Sequence, residues 1–246
     1  LKTYYRNLFT SNNKVIPLGA MGYAQRLSPM ISSIENKKSG LRILDAGCGY
    51  GTESILFSSL GHTVIGLELV SERIVLARSR VPFFSDLRKL SLDLQFLNAN
   101  IFGYLQNSDP FDVIWTMEAI SHIFPPERFL DLAFRKLKRG GSLIISDPNS
   151  LNPLAWIRSV RIRGSLSHSP HTRFNDPETH SPVEYGQEKI YPFFKLGRML
   201  QRFGFQVTST QVSGFLCSSF LPGALKCSVG LYGPMKNFQR ILMKMP

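Results

Sequence analysis

Residues 43–54, ILDAGCGYGTES, carry side chains and gaps whose spacing suits one kind of chemistry. Glycines at 47, 49 and 51 follow the short run Ile43, Leu44, Asp45, Ala46. Such a run reads as a buried parallel strand, and the glycines as the tight turn leaving it. Glycine is required where the backbone takes positive φ or lets a ligand approach with no Cβ in the way. The stretch TESILFSSLGH that follows has helical spacing, with Gly61 as its stop. A strand, a glycine turn and a helix start together make a nucleotide-binding corner.

Glycine spacing separates two nucleotide chemistries. A dinucleotide corner reads G-x-G-x-x-G, with the helix N-terminus aimed at a pyrophosphate. Here the spacing is G-x-G-x-G, and Thr52 stands where the last dinucleotide glycine would fall. Asp45 precedes the first glycine by two residues. A carboxylate there favours a ligand bearing an ammonium or sulfonium over a pyrophosphate, because like charges repel. The segment resembles motif I of the class I S-adenosylmethionine (SAM)-dependent methyltransferases: a hydrophobic pair, an acidic residue, x, then G-x-G-x-G.

That resemblance implies a Rossmann-like doubly wound α/β sheet of strand order 3-2-1-4-5-7-6. It also implies SAM as cofactor and S-adenosylhomocysteine (SAH) as product. The alternation of strand and helix signals beyond motif I agrees with it. Residues 62–69 read as a second strand ending at Glu68 and Leu69, and 71–81 as a helix opened by Ser71. A Pro-started connection over 82–91 leads to a third strand, 92–99. A fourth strand spans 111–119, a helix 126–138 ends at Gly140-Gly141, and a fifth strand spans 142–149. An amphipathic helix over 192–203 precedes a strand at 204–212.

Each expected contact follows from these elements. Glu68 lies about twenty positions after the glycine turn, where a carboxylate grips both ribose hydroxyls. The backbone of Gly47, Cys48, Gly49 and Gly51 is expected to face the methionine end, and Leu69 to lie beside the ribose. Asn100 stands where the family usually carries an Asp that accepts from the adenine amino group, and its amide oxygen can still accept. Ile101 is a candidate for the adenine face. Met117 and Glu118, at the end of the fourth strand, and His122 past it resemble the strand-end segment of the family's small-molecule branch. His122 is the candidate catalytic base, since imidazole ordinarily titrates near pH 6.5. No Asn/Asp-Pro-Pro-aromatic run, the amino-methylating signature, occurs there.

The flanks carry less information. A length of 246 residues with 43% hydrophobic content suits one large α/β domain. Residues 1–40 are expected to form a helical cap, with Arg26 on the methionine carboxylate, and 41–246 the methyltransferase domain. Within it, 150–190 has little periodicity, prolines at 153, 170, 177 and 182 and histidines at 168, 171 and 180, and is expected to be a lid. Those histidines lack the spacing of a metal triad, and no metal is expected. The tail gives no convincing final strand, so either CSSF (217–220) supplies it weakly or the chain is truncated; the start at Leu1 also suits a missing N-terminus.

Three cysteines with no C-x-x-C spacing, and no signal-peptide core, point to a cytoplasmic protein. A net charge of +12 favours an anionic partner or merely keeps the surface solvated. The basic segment lacks the interleaved aromatics of a stacking platform, which disfavours nucleic acid. Residues 154–164 and 231–245 mix apolar and basic side chains as a membrane-surface helix does. The expected function is SAM-dependent methyl transfer to a small-molecule acceptor, apolar or lipid-linked, with peripheral membrane contact. The alternatives are a non-catalytic SAM-binding module, an RNA methyltransferase using the basic surface and, more weakly, an NAD-dependent dehydrogenase.

Overall fold

A computed structural model describes residues 27, 31, 34, 40–88, 91–151, 172–177, 179–185 and 189–210. Arg26, the basic stretches 154–164 and 231–245, and the tail after 210 lie outside them. Two compact units form: residues 37–148 with 167–208, and residues 1–36 with 149–166 and 209–246. The first unit holds the sheet.

Five parallel strands are arranged in the order β3-β2-β1-β4-β5. They are β1 (Arg42–Ala46), β2 (Thr63–Glu68), β3 (Leu94–Asn98), β4 (Phe111–Met117) and β5 (Leu137–Ser146). Helices α1 (Thr52–Ser59), α2 (Ser71–Arg88), α3 (Ile101–Asn107) and α4 (Pro126–Lys136) form the crossovers. A strand buried on both faces reads as a nearly continuous apolar run, and Ile43, Leu44, Val113 and Ile114 are all fully buried. One face packs Ile55, Ile74 and Ala77 of α1 and α2 around Phe96. The other packs Phe102, Leu105, Phe129, Leu130 and Ala133 of α3 and α4 around Leu44 and Ile114. Trp115, with no exposure, meets Phe57 edge-on at 4.8 Å between ring centroids. Burial of such large side chains contributes about 1.5–3 kcal/mol each.

This is the expected order as far as its fifth strand. Several boundaries differ for physical reasons. Helix α2 continues through Pro82 to Arg88 instead of stopping at 81. Val81 and Phe84 pack against the Phe96 cluster, which offsets the backbone hydrogen bond that proline removes. Gly140-Gly141 does not end a helix. The chain enters β5 at Leu137, and the register against β4 slips between Phe111 and Val113, with Gly140 at φ 77° inside the slip. Residues 205–210 carry no strand pairing, so none of the described residues supplies the sixth or seventh sheet position. Segment 150–190 contains an antiparallel hairpin, β6 (Thr172–Asn175) paired with β7 (Pro182–Tyr185), where no periodicity was legible. Helix α5 (Phe193–Arg202) falls where the apolar spacing puts it.

The glycine turn is held in place by its lack of side chains. Gly51 has φ 72°, and a Cβ there would lie 2.2 Å from the Phe96 ring and 3.2 Å from Ala77 Cβ. Gly49 has φ 53° with open space around it. Gly51→Ala should therefore cost about 3 kcal/mol or more, combining overpacking with left-handed strain, and Gly49→Ala only about 1–2 kcal/mol. Urea unfolding of the two variants measures both, and equal losses would show that the Phe96 contact contributes nothing.

Candidate active site at the carboxyl edge of the sheet

The carboxyl ends of β1, β2, β3, β4 and β5 bring most of the expected residues to one edge, the usual ligand crevice of an open α/β sheet. The glycine turn folds back on the end of β2. Amides of Gly47 and Cys48 both donate to Leu67 O, at 2.9 and 2.8 Å, and Gly51 N donates to Cys48 O at 2.8 Å. Gly49 N donates to Glu68 Oε2 at 3.1 Å. These four amides are thus engaged within the chain, and the turn offers a ligand its bare surface more than its donors.

Glu68 is 4% exposed and its carboxylate is fixed at both ends. Oε1 accepts from Val70 N at 3.0 Å, and Arg73 lies 3.4 Å from Oε2. Asn98, paired with Glu68 across the ladder, donates to the carbonyls of Glu68 and Leu69 at 2.9 Å each. Asn98 was not singled out from sequence, because its role depends on strand register. Arg80 is similar: it reaches back across thirty residues to Tyr50 O and, at 3.0 Å, to Thr52 Oγ1.

Asp45 is buried behind the turn, 2% exposed, and accepts from Ser54 Oγ. Burial, then the charges of Glu53 and Glu68, push its pKa up from 3.8 to about 8. Its proton is therefore held far more tightly than an ordinary carboxyl's, which weakens the negative charge that the sequence predicts at this position. Cys48 turns its side chain into the core cluster with Ile55 and Ile74, and burial beside Asp45 raises its thiol further above the ordinary range. Its side chain is core packing, and a cofactor contact there falls to its backbone.

At the end of β3, Asn100 caps α3 by accepting from Phe102 N at 3.0 Å, while its Nδ2 donates to Asp176 at 2.8 Å. Ile101 packs partly buried against the main core. At the end of β4, Met117 pairs with Ser146, and Glu118 just past it takes φ 52° and donates its amide to Ser146 O at 2.7 Å. A short turn, Ile120–His122, then carries His122. That turn is pinned from two sides: Ser121 N donates to Asp147 Oδ2 at 3.2 Å, and Ser121 O accepts from Lys189 N at 3.0 Å.

Asp147, the residue after β5, is a functional candidate that sequence reasoning missed. Burial raises its carboxyl from 3.8 to about 6, against opposing hydrogen bonds from Ser121 and with Glu118 nearby. Its Oδ1 is buried without a partner among the described residues. A carboxylate directly after a parallel strand, before Pro148, was the available signal. Among the described residues no group of His, Cys, Asp and Glu could hold a metal ion. None of their helices is long and apolar enough to cross a membrane.

Known proteins share this fold. A family model described as "Methyltransferase domain" matches residues 22–210. The ubiquinone biosynthesis O-methyltransferase of Dictyostelium discoideum is 33% identical over 115 residues, covering 45% of this chain and 36% of that protein. Its Rattus norvegicus counterpart is 32% identical over 146 residues, covering 57% and 41%. The chain thus spans less than half the length of either relative. Magnesium protoporphyrin IX methyltransferase from Synechocystis PCC 6803, solved with bound SAH, superposes with a TM-score of 0.59 at 16% identity, covering 86% and 87% of the two chains. This chain belongs to the methyltransferase-domain family and has its class I fold, as motif I implied.

The carboxyl of Asp45 gives a pH test. Between pH 4 and 8 the folded state holds a proton on Asp45 that the unfolded chain releases, so its contribution to stability falls as pH rises. Asp45→Asn removes that dependence. Urea unfolding across pH 5–8.5 should show wild type losing on the order of a few kcal/mol relative to the variant. A difference that stays constant with pH would mean that Asp45 ionises normally.

Proposed function

We propose that this chain binds SAM at the carboxyl edge of β1, β2 and β3 and transfers its methyl group to a hydroxyl of an apolar small molecule. The observation carrying the reading is Glu68, a buried carboxylate fixed across the G-x-G-x-G turn at the end of β2. Oε2 accepts from Gly49 N and Arg73 and Oε1 from Val70 N, which leaves Oε1 a further lone pair that suits a ribose hydroxyl. Gly47, Cys48, Gly49 and Gly51 supply backbone surface to the methionine end, Leu69 flanks the ribose, and Asn100 with Ile101 serves the adenine. Met117 and Glu118 border the donor from β4. Arg26 keeps its role as a partner for the methionine carboxylate on the resemblance alone.

The relatives near 30% identity are O-methyltransferases by name, which supports an oxygen acceptor. An apolar acceptor agrees with the mixed apolar and basic sequence of 154–164 and 231–245, which would rest on a membrane surface. The 150–190 segment, with its hairpin, would cover the site. A cytoplasmic location rests on cysteine usage, and relatives named as mitochondrial support that compartment equally.

Chemically, a lone pair of the acceptor oxygen attacks the methyl carbon in line as the carbon–sulfur bond breaks. The bonding electrons pass to sulfur, leaving neutral SAH, and the hydroxyl proton goes to a base. Holding the three atoms in line supplies much of the rate. His122 is our first choice of base. Asp147 is the second, because its free oxygen is buried and its carboxyl titrates near pH 6.

Two measurements test this. Calorimetry should find SAM and SAH binding in wild type, and Glu68→Gln should weaken it by about 1.5–3 kcal/mol while keeping the fold. Glu68→Ala is the poorer variant, since it would orphan both the Gly49 and Val70 amides where Gln orphans one. NAD binding without SAM binding would sink the reading. Turnover in a screen of hydroxyl acceptors should rise with pH on an acid limb as the base loses its proton. His122→Asn should remove that limb and cost about 10²–10⁴-fold; loss of the limb in Asp147→Asn alone would transfer the role to Asp147.

A further inference from the structure

Asn100 has an amide whose two ends are chemically opposite and nearly equal in shape, so what it recognises depends on which way it is turned. Two neighbours decide this. Phe102 N is a backbone N–H and can only donate, so the atom 3.0 Å from it is the amide oxygen. Asp176 presents a carboxylate at 2.8 Å, which as an anion can only accept, so the atom facing it is the amide nitrogen. Turning the amide over would set N–H against N–H and oxygen against carboxylate. Both hydrogen bonds would be lost and replaced by repulsion.

Asp176 is well placed to hold this position. It is 6% exposed and lies in the β6–β7 turn, 76 residues from Asn100 in sequence. The turn is itself closed around it: Asp176 N donates to Ser181 O and His180 N donates to Asp176 O, both at 2.8 Å. Its second oxygen accepts from Thr179 N at 3.0 Å. The segment after the hairpin is tied down separately by Lys189 N on Ser121 O at 3.0 Å. The carboxylate therefore reaches the end of β3 on a short, hydrogen-bonded turn.

So held, Asn100 keeps one oxygen lone pair and one N–H unused by these two partners. An adenine edge offers an amino donor beside a ring-nitrogen acceptor, the pair that an Asn amide in one orientation complements. On the N1 edge a 6-oxo purine reverses both groups, with O6 an acceptor and N1–H a donor, and needs the amide turned over. We propose that Asp176 is a positioning residue that fixes the polarity of the Asn100 amide and so makes the cofactor site selective for a 6-amino over a 6-oxo purine. This rests on the SAM reading above and adds a residue from outside the five-stranded sheet to it.

The test compares SAH with its deaminated analogue, S-inosylhomocysteine, by calorimetry. Wild type should prefer SAH by about 100-fold, the scale of one well-matched bidentate contact. Asp176→Asn keeps the shape but can turn together with Asn100, so the preference should fall about tenfold, chiefly through tighter binding of the inosyl compound. Exchanging the pair, as Asn100→Asp with Asp176→Asn, removes the clash of two carboxylates and restores a fixed acceptor at position 100 without its N–H, so it should bind SAH more tightly than Asn100→Asp alone but not recover the full preference. Asn100→Asp alone, which sets two carboxylates together, should lower SAH affinity. An unchanged ratio in an Asp176→Asn protein that still binds SAH would overturn the assignment of Asp176 and leave the SAM reading standing. A wild type that binds neither compound would overturn both.

Discussion

The back-folding of the glycine turn onto the end of β2 is the constraint on which the rest of the site depends. Leu67 O accepts two successive amides, and the Glu68 carboxylate accepts the amide of Gly49. These bonds require the turn to lie within hydrogen-bonding distance of a neighbouring strand while α1 starts directly above it. A side chain at 51 would collide with Phe96, and one at 47 would lie 2.6 Å from Ala119 Cβ. The two contacts come from opposite sides, β3 on one and the segment after β4 on the other. The absence of side chains at 47 and 51 therefore lets three strand ends converge on one crevice, and the crevice is as much a packing result as a binding one.

Residues along this edge then divide by how they are held. Glu68 and Asn98 are fixed by strand register and by bonds to backbone groups, which do not depend on side-chain entropy elsewhere. The turn bearing His122 is held from outside its own element, by Asp147 and Lys189. Such a division suits a reaction in which the donor sits in a rigid pocket and the acceptor arrives at an edge that differs among relatives.

How much of this was legible in the sequence follows from the range of each interaction. Ile43 to Gly51 specify a strand, a turn and a helix start through local propensity and steric need, and the resemblance carried by the same residues supplied the sheet order. Glu68 was legible because its distance along the chain is set by one crossover. Cys48 was expected to meet a ligand through its backbone, and sequence does not say that its small side chain turns into the core cluster with Ile55 and Ile74. The β6–β7 hairpin was invisible: its partner strands are four residues each, and the carboxylate that matters in it pairs with a residue 76 positions earlier. Asp147 was passed over because a strand-end carboxylate becomes unusual only when burial shifts its titration, a property of the packed structure. Helix α2 ran past Pro82 because the apolar contacts of Val81 and Phe84 outweigh the local signal.

Electrostatics ties the corner to the charge of the whole chain. A protein of net charge +12 places Asp45, Glu53 and Glu68 around one glycine turn, with the first of these buried. Three carboxylates there cannot all be ionised without cost, and burial resolves the conflict by keeping Asp45 protonated. A sulfonium arriving nearby would supply the missing positive charge and favour release of that proton. The neutral thioether left after methyl transfer would not, so the proton would return and the attraction would weaken. In the reading proposed above, the acidic corner thus holds the charged donor more tightly than the spent product.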